Sequence, residues 1–282
     1  EGYLFILKTL IASAKEFDDC RALMLTGVVE VLGHFNFLDE VVPKQKPKGR
    51  HAIIIHALER EVLKDLYAFI QQDKKSAAKE KVTVGEAAVV MAGGTHTTQK
   101  KSEQRTIVQL PVAVAIIRIV KKFPFGFDGH IELLVTEVVT KLRTKNDKFR
   151  EGARKVLCSM MLEIGIHKLG FVMEKLKDHG YQLHVLGYTL IVLLDVLKSR
   201  FQEEPRNTGK MTTLDRLTPK LMDAFLDDYL GELGEQKEQT ELKSTILEVK
   251  RSRAAEGFVF LAKNATGETF LHTFAQSEEH TS

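Results

Sequence analysis

The stretch Asp147-Lys148-Phe149-Arg150-Glu151-Gly152-Ala153-Arg154-Lys155-Val156-Leu157 decides the fold. Phe149, Ala153, Val156, Leu157, Met160, Met161 and Ile164 recur three and four residues apart, which is one face of a helix and not the alternation of a strand. Asn146-Asp147 supplies a polar break and an N-cap candidate, and Gly165 supplies the stop. Upstream, His130–Lys145 carries Ile131, Leu134, Val135, Val138 and Leu142 at the same spacing. Downstream, Leu169, Val172, Met173 and Leu176 form a third stripe that ends at His179-Gly180. The fourth segment, Tyr181–Leu197, is apolar nearly all round, and a helix without a polar face needs neighbours on both sides. Ala153 and Gly187 are small where facing helices must approach closely.

These segments read as two antiparallel helix pairs laid side by side. Equivalent starts, His130 and His167, lie about 37 residues apart, within the range of helical-hairpin repeats. A single hairpin cannot shelter its own apolar face, so such pairs stack. The expected class is all-α, an α-solenoid of HEAT-like antiparallel helix pairs.

Working outward, Glu1–Phe17 and Arg21–Phe35 read as helices, followed by the basic loop Pro43–Arg50, where two prolines and a glycine forbid a helix. His51–Gln72 is helical again, with Ile54, Leu58, Val62, Leu66, Phe69 and Ile70 apolar. From Gln71 to Thr106 the periodicity fails, and Lys74–Lys81 and Gly93–Lys101 read as a charged insertion. Ile107–Phe123 restores a helix, with Pro111 tolerable near its first turn. Beyond a loop holding Pro205 and Gly209, Leu214–Leu233 reads as a helix with an acidic face (Asp223, Asp227, Asp228, Glu232). Glu241–Arg253 and a mixed helix over Phe258–Phe274 follow. The expected organisation is therefore N-terminal repeats over 1–72, a flexible insertion over 73–106, central repeats over 107–200, a loop over 201–212 and C-terminal repeats over 213–282.

Composition narrows the function without naming it. A net charge of +3 and a pI near 8.7 are only mildly basic, so any basic surface must be local. Cys20 and Cys158 sit in apolar helical contexts and make no disulfide framework, which favours an intracellular chain. No apolar run reaches the ~18 residues of a membrane span, and the N-terminus has no signal-peptide pattern. The chain opens at Glu1 without an initiator Met or a polar outer cap on its first helix, which reads as a piece of something longer.

Catalytic and metal motifs are weak. His51 and His56 are five apart with no intervening H-E-x-x-H glutamate, and Gly93-Gly94-Thr95-His96 lacks P-loop spacing. Cys158 could be paired on paper with His167 or His184, but a thiol in an apolar helix is usually inert. Asp227, Asp228 and Glu232 read as a solvated face rather than a metal site. His184 reads as a packed histidine that holds neighbouring repeats in register. No catalytic residue, cofactor, metal or small-molecule substrate is expected. The basic clusters are the candidates with a mechanism. Lys141, Arg143, Lys145, Lys148, Arg150 and Arg154 gather at and after one inter-helix turn, and Lys250, Arg251 and Arg253 form a second group. Lys44, Lys46, Lys48 and Arg50 form a weaker third group. Cations along an array edge suit a phosphate backbone, giving salt-dependent and sequence-tolerant binding to RNA or to an acidic protein. The competing reading has Arg150 paired within the array and the others merely solvated.

Asp147-x-Phe149-Arg150-x-x-Ala153-Arg154-x-x-Leu157 has the D-x-φ-R-x-x-A-x-x-x-L pattern of the second helix of a HEAT repeat. Together with Leu110-Pro111-Val112, Gly180-Tyr181-Gln182-Leu183-His184-Val185-Leu186-Gly187-Tyr188-Thr189-Leu190 and Glu248–Arg253 leading to Phe258–Leu261, it resembles the family of small-subunit processome component 20. This family is also called U3 small nucleolar RNA-associated protein 20. The resemblance runs from about Ile107 to about Lys263, with Ile191 standing where the family usually has a second histidine. It implies a non-catalytic nucleolar scaffold of the early pre-ribosome, working in maturation of the small-subunit RNA. The partners it implies are pre-ribosomal RNA, the U3 small nucleolar ribonucleoprotein and other processome assembly proteins, with no membrane and no small molecule. Asp147, Arg150, Ala153, Gly180, Tyr181 and His184 take structural roles in that reading. The alternative is a HEAT adaptor that binds protein partners, in nuclear transport or another large complex, without RNA.

Overall fold

The computed structural model describes residues 2–34, 49–70, 110–123, 127–144, 146–179, 185–205, 211–231, 246–250 and 253–279. Among them every regular element is helical and no strand occurs. The contacts divide the chain into two compact units, Glu1–Leu134 and Val135–Ser282. The basic loop at 43–48, the insertion at 71–106 with Gly93–His96, and Glu232 lie outside the described residues.

In the first unit, α1 (Gly2–Glu16) and α2 (Arg21–His34) form a hairpin. It buries Leu7, Ile11 and Ala14 against Leu25, Val28 and Leu32. α4 (Val112–Val120), which follows α3 (50–70) in chain order, packs on α2 and buries every residue but Arg118. Pro111 stands at its N-cap, where the missing N–H is no loss. Arg118 has a defined place: Nη1 donates to the Val29 carbonyl at 2.5 Å. The guanidinium lies over Gly33, whose missing Cβ would sit 2.8 Å from that nitrogen.

α3 begins at Arg50–Ala57, widens into a π-turn over Leu58–Leu63 and continues as α-helix over 64–70. The sequence suggests one uninterrupted helix here, and the structure widens it at its centre instead. Ile54, Leu58, Val62 and Leu66 step by four, so an α-helix would rotate the apolar stripe by about 40° per step. Leu58, Val62 and Leu66 all stay buried through the wider turn. Near its end the Tyr67 hydroxyl shares a 2.5 Å hydrogen bond with His130 Nδ1, and burial raises the Tyr67 pKa to about 12.

In the second unit, α5 (Phe127–Lys141, which starts in the first unit) leads through a short turn to α6 (Asp147–Ile164). Asn146 caps α6 by accepting from Phe149 N at 3.2 Å. Gly165, at φ 98°, ends it in a conformation closed to most side chains. After a 3₁₀ turn, α7 (Leu169–His179) buries Leu169, Val172, Met173 and Leu176. α8 (Leu186–Glu203) is the central helix of this unit, touching α6, α7, α9 (Thr213–Tyr229) and α11 (Ala254–Asn264). Its apolar circumference demanded that many neighbours. Its expected start at Tyr181 lies outside the described residues.

Two expectations are corrected here. The mixed helix over Phe258–Phe274 is two helices, α11 and α12 (Gly267–Glu279), with the single-turn α10 (Leu247–Lys250) before them. Asn264 turns back to donate to the Phe260 carbonyl at 2.8 Å, and Thr266 N donates to Asp215 Oδ1 at 2.8 Å, so the chain is pulled out of helix between them. The face of α9 is also less acidic than expected. Asp228 is buried against α8, where a Cβ on Gly187 would meet its Oδ2 at 2.6 Å. Asp215 is buried too, closing a capping box with Thr212.

The α9–α11 contact is equally tight at Gly257, where an added Cβ would lie 2.6 Å from the fully buried Phe225 ring. Gly257→Ala should therefore lose about 1–3 kcal/mol despite the better helix propensity of alanine. Urea denaturation measures this, and a stabilised variant would contradict the packing.

Candidate functional site

The basic turn between α5 and α6 separates into an outer and an inner set. Arg143 and Lys148 are exposed and Lys141 is half-buried, while Lys145 lies outside the described residues. Arg150 points inward from the same helix and is completely buried. Its Nη1 donates to the Thr144 carbonyl at 2.8 Å, and its Nη2 to Asp147. Its Nε and Nη2 donate to the two carboxylate oxygens of Glu248, on α10, at 2.9 and 2.6 Å. Arg154, one turn further along α6, donates to Glu248 Oε1 at 2.5 Å.

One carboxylate thus receives two arginines inside the protein. Burial opposes the charge on Glu248, but the hydrogen bonds from Arg150 and Arg154 outweigh it and lower its pKa to about 2. Burial also opposes the charge on Arg150. Its contacts with Glu248 and Asp147 prevail and raise its pKa. The Arg154 guanidinium lies 4.9 Å from the centre of the Tyr188 ring on α8. That of Arg253 lies 5.7 Å from the same ring. Arg253 also donates to Asp195 at 2.8 Å and to Glu256 at 2.5 Å, which hold its pKa above the usual arginine range.

For the contact residues expected from sequence, this means a correction for Arg154. It is 5 % exposed and its guanidinium is engaged by Glu248, so it does not belong to an outer phosphate-facing set. The cause is a partner 94 residues away. Arg253 is partly exposed, with its guanidinium in ion pairs. Arg251 lies outside the described residues, and Lys250 is placed only by its position on α10. Asp147, Arg150 and Ala153 sit at one packed helix start, whereas Gly180, Tyr181 and His184 lie outside the described residues. Glu248 is the residue that sequence reading passed over as a partner. Its signal was available: a lone acid between Ile246, Leu247 and Val249, on a segment whose neighbours turn inward.

Beside this network a groove of about 550 Å³ runs between α6 and α8, with Lys155, Ser159 and Leu162 on one wall and Tyr188, Val192 and Val196 on the other. Cys158 also lines it, and burial pushes its thiol pKa up to about 11, so little thiolate forms at neutral pH. Among the described residues no group of three His, Cys, Asp or Glu side chains is placed to hold a metal ion. Nor, among them, is any single helix long and apolar enough to cross a membrane.

The family model of the U3 small nucleolar RNA-associated protein 20 domain matches residues 99–278, which take in the whole network. The chain belongs to this family. Two proteins named U3 small nucleolar RNA-associated protein 20 are similar to it: one from Schizosaccharomyces pombe, 25% identical over 170 residues, and one from Saccharomyces cerevisiae, 23% identical over 168. Each alignment covers 58% of this chain and 6% of the relative, so the chain spans a small part of the length of the curated relatives it matches.

Removing Glu248 would strand two buried cations, so Glu248→Ala should lose about 3–5 kcal/mol of stability. The pH dependence has a definite sign. A depressed carboxylate stabilises fully above its unfolded pKa of about 4.3, and that stability disappears as the pH falls toward about 2. Denaturant midpoints measured from pH 6 to pH 2 should drop steeply for the unaltered chain. For Glu248→Gln they should drop less, and parallel curves would refute the assignment.

Proposed function

We propose that this chain is a section of a non-catalytic α-solenoid scaffold that works in the nucleolus during small-subunit ribosome assembly. Its helix pairs stack as HEAT-like repeats, and its outer cations meet the phosphates of pre-ribosomal RNA and the U3 small nucleolar ribonucleoprotein, beside other assembly factors. The reading rests chiefly on one observation: the family match covers the residues that hold both basic stretches. The names of the two yeast relatives support the association with U3. The exposure of Arg143 and Lys148 supports a surface placement for part of the first stretch. In this reading the chain acts by holding large contacts, and no reaction is assigned to it. The boundaries 1–72, 73–106, 107–200, 201–212 and 213–282 remain the proposed organisation of repeats and insertion.

Crosslinking in cells tests the partner. RNA recovered with the protein should be pre-ribosomal, and recovery of protein partners with no RNA would instead favour the adaptor reading. In solution, binding to single-stranded RNA should weaken with salt. Lys148→Glu should weaken it further without changing the folded stability by more than about 0.5 kcal/mol, as for an exposed side chain. Filter binding at several salt concentrations, with a thermal melt alongside, measures both.

A further inference from the structure

The groove between α6 and α8 plays no part in the RNA reading. Its charged lining is already engaged: Lys155 pairs with Glu151 at 2.8 Å, Arg154 with Glu248 on α10, and Asp147 with Arg150. What is left open is apolar. Leu162 is 45% exposed, and Val192 and Val196 are half-buried. A volume of about 550 Å³ lies within the range of sites that take up ligands. Tyr188, Val192 and Val196 follow one another by about one turn of α8, so this wall is about 12 Å long, roughly two turns of helix. The Tyr188 ring already carries the guanidinium groups of Arg154 and Arg253, which makes it a poor platform for a nucleobase. One charge on this side of α6 is not taken up. Lys148 is exposed, has no ion pair among the described residues, and lies on the face of Glu151, Lys155 and Ser159. Along the helix axis it stands about 21 Å from Leu162, or roughly four turns.

We infer that this groove receives an amphipathic helix of a partner protein, with its apolar side against Leu162, Val192 and Val196 and an acidic residue beside Lys148. The chemistry of the groove selects that occupant. Both cations of the lining, Arg154 and Lys155, are engaged, so a phosphate entering the groove meets no uncommitted counter-charge. An apolar stripe at i, i+4 and i+7 of a docking helix matches a wall of two turns. The uncompensated Lys148 then fixes the direction of that helix, because an acid at its other end cannot reach the start of α6. The inference goes beyond the RNA reading and does not need it: Lys148 is shared, but no apolar residue of the groove enters that reading.

The test uses the full chain and two labelled synthetic helical peptides of about 18 residues. Each carries a leucine stripe and one glutamate roughly four turns away, placed before the stripe in one peptide and after it in the other. Fluorescence anisotropy should show saturable binding of one peptide, only weakly dependent on salt. Leu162→Asp should weaken that binding roughly tenfold or more, as for a charge set against an apolar contact, while its exposed position spares the fold. Lys148→Glu should weaken it roughly two- to fivefold, and a peptide with lysine in place of its glutamate should recover the loss on that variant. If Leu162→Asp does not fold, as judged by its far-ultraviolet helix signal, the charge exchange at Lys148 decides alone. No saturable binding of either peptide, or binding indifferent to both substitutions, overturns the inference. So does self-association of the chain that Leu162→Asp abolishes, which gives the groove to a second copy, and so does RNA binding that Leu162→Asp weakens while neither peptide binds, which gives it to nucleic acid. Failure of the peptides leaves the RNA reading standing, and absence of salt-dependent RNA binding leaves this one standing.

Discussion

Two arginines cannot sit inside a protein without an anion to meet them. Desolvating a guanidinium costs several kcal/mol, and in α6 that cost falls twice within one helical turn. Glu248 offsets both at once, using its two oxygens for three hydrogen bonds. Because it lies 98 residues from Arg150, the second unit can close only when α10 returns to the start of α6. Apolar packing alone would tolerate several arrangements of these helices. A charge that must find its counter-charge tolerates far fewer, and here it specifies which segment lies against the turn. Any net gain in stability is smaller than the loss that follows when one partner is taken away.

The rest of the unit is fixed by contacts of the same long reach. Asp215 caps its own helix through Thr212 and accepts from Thr266 N, which ties the start of α9 to the chain between α11 and α12. Glu204 accepts from both the backbone and the hydroxyl of Thr213, each at 2.8 Å, and so joins the end of α8 to the start of α9. Gly187 and Gly257 let α9 approach its two neighbours where a methyl group would collide. Each of these polar groups satisfies a helix end that would otherwise be buried unpaired. The helices supply apolar area, and these few polar contacts set how it is arranged.

This division explains what was legible in the sequence. Helix positions were, because periodicity and caps are local: Asn146 and Gly165 bound α6 as their chemistry demands, and the four apolar positions of α7 are all buried. The break between α11 and α12 was not, since it depends on Asp215 reaching across from another helix. The π-turn in α3 was not legible either, since α6 steps its buried Phe149, Ala153, Leu157 and Met161 by four in the same way and stays a regular α-helix. At the candidate site, Arg143 and Lys148 kept the exposure that a polar turn implies, whereas Arg154 did not. Periodicity sets Arg154 beside the apolar stripe, three and seven residues before Leu157 and Met161, and Lys148 on the face of Glu151, Lys155 and Ser159, but the counter-charge that keeps Arg154 inside is Glu248. Asp228 shows the same limit, as its burial follows from a glycine on a different helix.

The choice between arginine and lysine follows this inner and outer division. Arg150 needs a planar donor group, because it must reach a carbonyl and two carboxylates on different elements at once, and a single ammonium could not span them. Arg154 adds a flat face against Tyr188, which an ammonium would not match. Lys148 meets no such demand at its exposed position, where a flexible and well-hydrated charge serves equally well. One helix therefore carries cations of two kinds, those that organise the interior and those left to solvent and partners. A count of basic residues along α6 overstates what any phosphate could touch, and the buried acid on α10 is what separates the two kinds.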